Sequence, residues 1–509
     1  MTEVDVAIVG AGFAGLGLGI RLKRRGVSSF LIFERANDVG GTWRDNTYPG
    51  VACDVPSHLY SWSFRPNPRW SSFFSGGAEI HDYLVAGANE EGLGDHLRLG
   101  TDVDAMTWDA SHSRWALHTS RGEFTARTLV LACGRLTEPR IPDVPGLDTF
   151  RGPLFHSARW DHDADLRGKR VAVVGSGASA IQIVPHVAEI ARELVVLQRS
   201  APYVIPREEH HYTEAEQAVF ERDPEELERL RSTLFWTAEE AYAQRAGVPA
   251  AVEAARGRAL DHLAAQVPDP ELRAKLTPHY EIGCKRVLIS NEYYPALTRP
   301  TVAVEPSALA AVNGNTLITA NGAQHEVDAL IFATGFHAAQ QPYARIVRGV
   351  DGEVLARHWA GGMTAYASTV VSGFPNLFVV NGPNAGLGHN SAIYMIETQL
   401  DYVLGALDHL EADPDLVLDV SREAEDEYTA LIDELSASTV WMTGGCESWY
   451  RDGRTGRLTL LWPGYAHAFR ERNGTFSLNP FSLSPYTPGP YTPRPYTPGP
   501  VSPTPSITN

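Results

Sequence analysis

The 509-residue chain is poor in cysteine, with only Cys53, Cys133, Cys284 and Cys446. None stands in a CxxC pair or at a zinc-site spacing, so a sequence-adjacent redox dithiol and a structural zinc site are excluded and reduced thiols are expected. Long apolar runs are also missing. No stretch approaches the roughly 18 residues that a membrane-spanning helix needs, so no membrane insertion is expected. The first residues lack a basic stretch, an apolar segment and a small-residue cleavage signal, and a cytoplasmic protein is expected. Basic residues are in deficit, 43 against 61 acidic, for a net charge of -18. That balance argues against nucleic acid or an anionic membrane as partner, while leaving room for local basic pockets that hold phosphate.

What is present is a composition with 43% hydrophobic and 20% charged residues, in a chain longer than one core usually supports. Two or three domains are expected. Residues 4–9 form a short apolar, β-branched run, followed by a glycine-rich turn, a helical stretch to about Arg25 and a second apolar strand at 30–33. The same order recurs with a strand at 171–174, a glycine turn, a helix through about Ala191 and a strand at 194–197. Two such openings predict an α/β protein with two doubly wound, Rossmann-like nucleotide-binding domains.

The composition of residues 207–280 shifts to Glu, Ala, Leu and Arg, and Thr213-Glu214-Ala215-Glu216 has capping-box form, so a helical insertion is expected. The strand-like stretches 329–334 and 377–380 are read as returns to the first domain's sheet, and helical periodicity resumes over 391–410. The expected layout is an FAD-binding domain over 1–148 and 329–479, an NADP-binding domain over 149–206 and 283–328, and the helical insertion over 207–282. From about Pro480, Tyr-Thr-Pro repeats with a period of five predict a disordered or polyproline II tail over 480–509.

The first turn reads Gly10-Ala11-Gly12-Phe13-Ala14-Gly15, and Glu34 follows at the end of the next strand. Glycines there let backbone N–H groups reach a pyrophosphate at a helix N-terminus, and an acid at that distance accepts the ribose hydroxyl. The second turn reads Gly175-Ser176-Gly177-Ala178-Ser179-Ala180, but its following strand ends in Gln198-Arg199-Ser200 with no acid. An acid repels a 2′-phosphate, whereas Arg199 and Ser200 can bind it, so this site is expected to take NADP(H). Two dinucleotide sites in one chain suit a flavin that accepts hydride from a nicotinamide.

Residues 150–161 contain Phe150, Gly152, His156, Trp160 and Asp161 at the spacing FxGxxxHxxxW(P/D). Gly41-Thr42-Trp43 continues through Tyr48-Pro49-Gly50 to Asp54, and Gly283-Cys284-Lys285-Arg286 follows the insertion. In these motifs and their order the chain resembles the Baeyer–Villiger monooxygenases over about residues 4–465. It departs from them at Ala132-Cys133-Gly134, where the family often has Ala-Thr-Gly.

The resemblance implies NADPH- and O2-dependent conversion of a small-molecule ketone to an ester or lactone through a C4a-peroxyflavin. The alternatives are S- or N-oxygenation, with a thioether among the substrates, and an uncoupled NADPH oxidase. Arg286 is implied as the cation beside the reacting oxygen, because an arginine does not lose its proton, and Asp54 as its partner. Lys285 is implied at the nicotinamide nucleotide's 2′-phosphate, with a solvated lysine as the alternative. Gly41, Thr42, Trp43 and Tyr60 resemble FAD-contacting positions, and Val103 is expected near the adenosine half. For Trp43 and Tyr60, ordinary aromatic packing is the alternative. The resemblance places Trp449 on a loop that closes over the nucleotide, and gives His156 a part in coupling the domains rather than in proton transfer.

Overall fold

Strand Thr2–Val9 buries Val4, Val6, Ala7 and Ile8, a pattern suited to a strand covered on both faces. It lies within an eight-stranded sheet of the computed structural model, which describes residues 2–485. Strands Phe30–Phe33 and Gly122–Leu131 flank it in parallel register. Arg114–Thr119 pairs antiparallel with both Val103–Asp109 and Gly122–Leu131, making a meander on one side of the sheet. Leu377–Val379 joins the far half of Gly122–Leu131 in parallel, as the sequence predicts. Helix Phe13–Arg24 covers the sheet under helix Ala392–Ala412; a Cβ on Gly17 would lie 3.2 Å from Leu400.

The second sheet has five parallel strands, in the order Val302–Glu305, Glu193–Leu197, Arg170–Val174, Ala329–Phe332 and Leu154–His156. This corrects the reading of 329–334 as a return to the first sheet. Ala329–Phe332 is buried at all four residues, which marks a central strand but carries no signal for its neighbours. Its register sets Leu330 between Ala172 and Leu154, and just beyond the strand the Gly335 carbonyl accepts from Arg140 N at 2.8 Å.

Between the paired short strands Val204–Ile205 and Leu288–Ile289 the chain forms helices Glu214–Arg222, Pro224–Glu240, Tyr242–Arg245, Pro249–Gln266 and Pro270–Leu276. The Thr213 capping box forms in both directions with Glu216, stopping the helix from fraying at its first turn. Among the described residues no helix is long and apolar enough to cross a membrane. The expectation of no strand beyond Pro480 is also corrected. Phe481–Pro485 pairs antiparallel with Leu416–Val420, because the proline-free Phe-Ser-Leu-Ser stretch keeps every backbone donor a ladder needs. Residues 486–509, which hold the Tyr-Thr-Pro repeats, lie outside the described residues.

Candidate active site

Gly10 has φ +107°, and a Cβ there would lie 2.4 Å from the Ala132 carbonyl oxygen, so the turn after the first strand requires glycine. A Cβ on Gly15 would lie 1.8 Å from the Gly10 oxygen, and its absence lets helix Phe13–Arg24 settle onto the turn. No side chain caps this helix and no acid stands in its first turn, so its first N–H groups and the positive end of its dipole are left for an anion. A cavity of about 350 Å³ opens on the turn. Gly10, Gly12, Phe13, Ala14, Glu34, Gly41, Thr42, Trp43, Tyr60 and Val103 all line it. Of the first site's expected residues, Gly15 and Asp54 are not on its wall.

Glu34 is buried and accepts from Ala11 N and Ala36 N, each at 3.0 Å, with Arg44 at 3.0 Å. A carboxylate has about four acceptor positions, so it keeps capacity for a ribose hydroxyl. The Asn381 side-chain oxygen is buried on the cavity wall without a hydrogen-bond partner. A glycine cradle at a bare helix end, a carboxylate, two rings set edge to face (Trp43 and Tyr60, 5.6 Å apart) and an orphaned amide oxygen fit FAD.

The second turn repeats the arrangement. Gly175 has φ +120° with its Cβ position 2.4 Å from the Ala333 oxygen, while nothing lies within 4 Å of a Cβ on Gly177. Ala178 and Ser179 begin helix Ala178–Ile190, again without a cap or a first-turn acid, and Ala180 is buried beneath it. Ser176 Oγ donates to the Ser200 carbonyl at 3.0 Å, and Lys285 Nζ donates to Ser200 Oγ at 2.7 Å. Burial, and then the neighbouring Arg199, lower the Lys285 pKa. Arg199 itself is exposed, 3.7 Å from Glu447. The structure thus gathers Arg199, Ser200 and Lys285 beside the Gly175–Ala180 turn.

An ion pair joins the segment after the first turn to the chain leaving the insertion. Arg286 Nε donates to Asp54 Oδ2 at 2.9 Å and Nη2 to Oδ1 at 2.7 Å. Asp54 ends the segment that begins at Gly41, and Arg286 leads into Leu288–Ile289, so residues 232 apart in the chain meet here. Asp54 holds the Arg286 guanidinium well above its ordinary pKa, against the opposing effect of burial. Tyr60, on the cavity wall, and the buried Tyr450 are both close enough to Arg286 to be influenced by its charge.

The expectation of four reduced thiols is corrected for one pair: Cys284 and Cys446 form a disulfide across 162 residues. Glu281 N donates to the Gly444 oxygen at 2.8 Å, which docks the turn before Arg286 onto the loop before Trp449 and brings the two cysteines within bonding reach. No spacing in the sequence encodes that docking. Cys53 and Cys133 are free. Trp449 is 42% exposed, with its ring 4.5 Å from that of Tyr450.

His156 stands on the edge strand of the second sheet, opposite Phe332. Its Nδ1 accepts from Ala158 N at 3.1 Å, and burial pushes its pKa down to about 4. Sequence reasoning passed over Arg135 and Arg245. Both lie close enough to Arg286 and Tyr450 for their charges to interact. The position of Arg135 directly after Ala132-Cys133-Gly134 was the one available signal.

Two dinucleotide-binding turns and an Asp–Arg pair joining the segments that follow them define a flavin-dependent oxygenase, and residues 3–235 match the family described as flavin-binding monooxygenase-like. A Baeyer–Villiger monooxygenase from Streptomyces coelicolor is 47% identical over 473 residues, spanning 92% of this chain and 90% of that protein. Another from Pseudomonas aeruginosa is 43% identical over 467 residues, spanning 91% and 88%. The crystal structure of cyclohexanone monooxygenase from Rhodococcus sp. Phi1 bound to NADP+ matches with a TM-score of 0.83 at 28% identity, covering 95% of this chain and 99% of that one. The chain belongs to the Baeyer–Villiger monooxygenase family.

Proposed function

We propose that this protein is an NADPH- and O2-dependent monooxygenase that inserts one oxygen atom beside the carbonyl of a small-molecule ketone, giving an ester or lactone. When bound, FAD supplies the redox chemistry: it takes hydride from NADPH and activates O2. The bare N-terminus of helix Phe13–Arg24 holds the FAD pyrophosphate, Glu34 the ribose hydroxyl, and Trp43, Tyr60 and Val103 the rest of the cavity wall. The Gly175–Ala180 turn holds the pyrophosphate of NADPH, and Arg199, Ser200 and Lys285 hold its 2′-phosphate. Trp449 packs over the nucleotide from the C-terminal loop.

The observation that carries the reading is the Asp54–Arg286 pair beside Tyr60. Arg286 keeps all its protons and holds the negative charge that builds on the reacting oxygen; Asp54 orients the guanidinium and balances it. A cation able to lose its proton would quench that charge.

NADPH consumption with a panel of ketones, and product identification by mass spectrometry, tests the reading: esters or lactones are expected. Sulfoxides or N-oxides from a parallel heteroatom panel, with no ester, would move the protein to heteroatom oxygenation. The Arg286→Ala enzyme is expected to retain flavin bleaching by NADPH and to lose oxygenated product by about 100-fold or more. Product formation at the normal rate would remove Arg286 from the chemistry.

A further inference from the structure

Arg286 shares its surroundings with two other arginines. Arg135 leaves the rim of the FAD cavity directly after Gly134. Its Nη1 donates to the Leu460 oxygen at 3.1 Å, and its guanidinium lies flat against Gly386, within 2.5 Å of where a Cβ would stand. Arg245 donates to the Ala241 and Gly388 oxygens at 3.0 and 2.9 Å. The short segment Gly386–Gly388 therefore touches both side chains.

The two differ from Arg286 in what balances them. Arg286 has Asp54. Among the described residues neither Arg135 nor Arg245 has a carboxylate within 4.0 Å, and each guanidinium is bonded through backbone carbonyls only. A guanidinium has five N–H donors, so most of theirs are left over. Burial pushes both down to about 10, which leaves them fully charged at neutral pH. Glu239, six residues before Arg245 in the chain, is committed to His389, Asn390 and His467. A chain with 61 acidic residues has placed none of them here, although a partly buried charge without a partner is costly. Beside the arginines, Tyr242, Trp441, Tyr450, Leu458 and Leu461 form a small apolar cluster. Surplus positive charge against an apolar wall suits an amphipathic anion.

We propose that Arg135 and Arg245 form a carboxylate-binding subsite next to Arg286, and that the ketone this enzyme oxidises is an oxo acid with an apolar body and an ionised carboxyl group. This rests on the proposed ketone oxygenation. The nucleotide phosphates have their own places at the two glycine turns and at Arg199, Ser200 and Lys285, and the charge on the reacting oxygen is met by Arg286. The substrate's own carboxylate is the anion left to fill this subsite.

Two measurements on the FAD-loaded enzyme test it. The first compares a medium-chain oxo acid with its methyl ester, which lacks the charge; kcat/KM for the acid is expected to exceed that for the ester by about 30-fold, about 2 kcal/mol. The second follows octanoate, which has no ketone, by thermal shift and tryptophan fluorescence; it is expected to bind the normal protein, with affinity about 30-fold weaker in Arg135→Gln and Arg245→Gln. Equal use of acid and ester, or octanoate binding that is absent or insensitive to both substitutions, would overturn the subsite. The comparisons on the unsubstituted protein decide the matter even where a variant fails to fold. Oxidation of the methyl ester reports separately on ketone oxygenation: neutral ketones oxidised with no preference for the acid would sink the subsite alone, while octanoate binding without any ketone oxidation would sink the reaction alone.

Discussion

Arg199, Ser200 and Lys285 lie within a few ångströms of one another although Lys285 is 85 residues from Ser200 in the chain. A 2′-phosphate brought against them would gain charge-assisted bonds that NADH cannot make. The Arg199→Ala, Lys285→Ala double variant is expected to raise KM for NADPH by about 10- to 100-fold, and to bring the NADPH/NADH ratio of kcat/KM close to one. Steady-state kinetics with both nucleotides checks this; equal losses with NADPH and NADH would mean that these residues do not read the phosphate. At this scale the sequence was legible wherever the chemistry is local. Glu34 and Arg199 each come just after a strand that follows a glycine turn, so their positions relative to the turn follow from a few residues of known geometry. The pairing of Arg135 with Arg245 was not legible, because what distinguishes them is the absence of an acid nearby, and no neighbour in sequence reports that.

Among the elements, the disulfide has the largest consequence. It ties residue 284, two before Arg286, to residue 446, three before Trp449, so one covalent link spans the ion pair's segment and the C-terminal loop. Cutting that link enlarges the conformational freedom of the loop. The Cys446→Ser enzyme is expected to release several-fold more hydrogen peroxide per NADPH consumed, because a looser loop admits water to the site. The normal enzyme treated with dithiothreitol should behave in the same way. Peroxide yield measured against NADPH consumption decides it, and unchanged coupling in both would free the disulfide of any part in closure. Strand and helix limits were readable here from apolar runs, glycine turns and the Thr213 cap. The sheet to which Ala329–Phe332 belongs was not, since a four-residue apolar strand fits the centre of either parallel sheet equally well.

The whole molecule carries buried imidazoles that must stay neutral. Burial, reinforced by Arg231, pushes His58 down to about 4, and burial does the same to His156. Both are at most 2% exposed, and His156 Nδ1 accepts a backbone hydrogen bond, which requires it unprotonated. The unfolded chain has histidines that protonate near 6.5. Below that pH the unfolded state binds more protons than the folded one, so stability is complete above about 6.5 and declines as pH falls toward 4. Each such histidine contributes up to about 1.4 kcal/mol per pH unit in that window. Calorimetric Tm values at pH 7, 6 and 5 are expected to fall in order, with a shallower decline in His58→Gln. A Tm independent of pH over that range would show that these imidazoles titrate in the fold as they do in the unfolded chain.

The sequence by itself determined the two glycine turns, the strands and helices around them, the acid at one site and the arginine at the other. Glycine conformation, apolar periodicity and helix capping act within a few residues, so a linear chain displays them. The tertiary structure alone decided which sheet takes Ala329–Phe332, that Cys284 meets Cys446, and that Arg135 and Arg245 converge on Arg286 without an acid of their own. Those are contacts across tens to hundreds of residues, selected by how whole layers pack, and such packing leaves no mark in the local order of side chains.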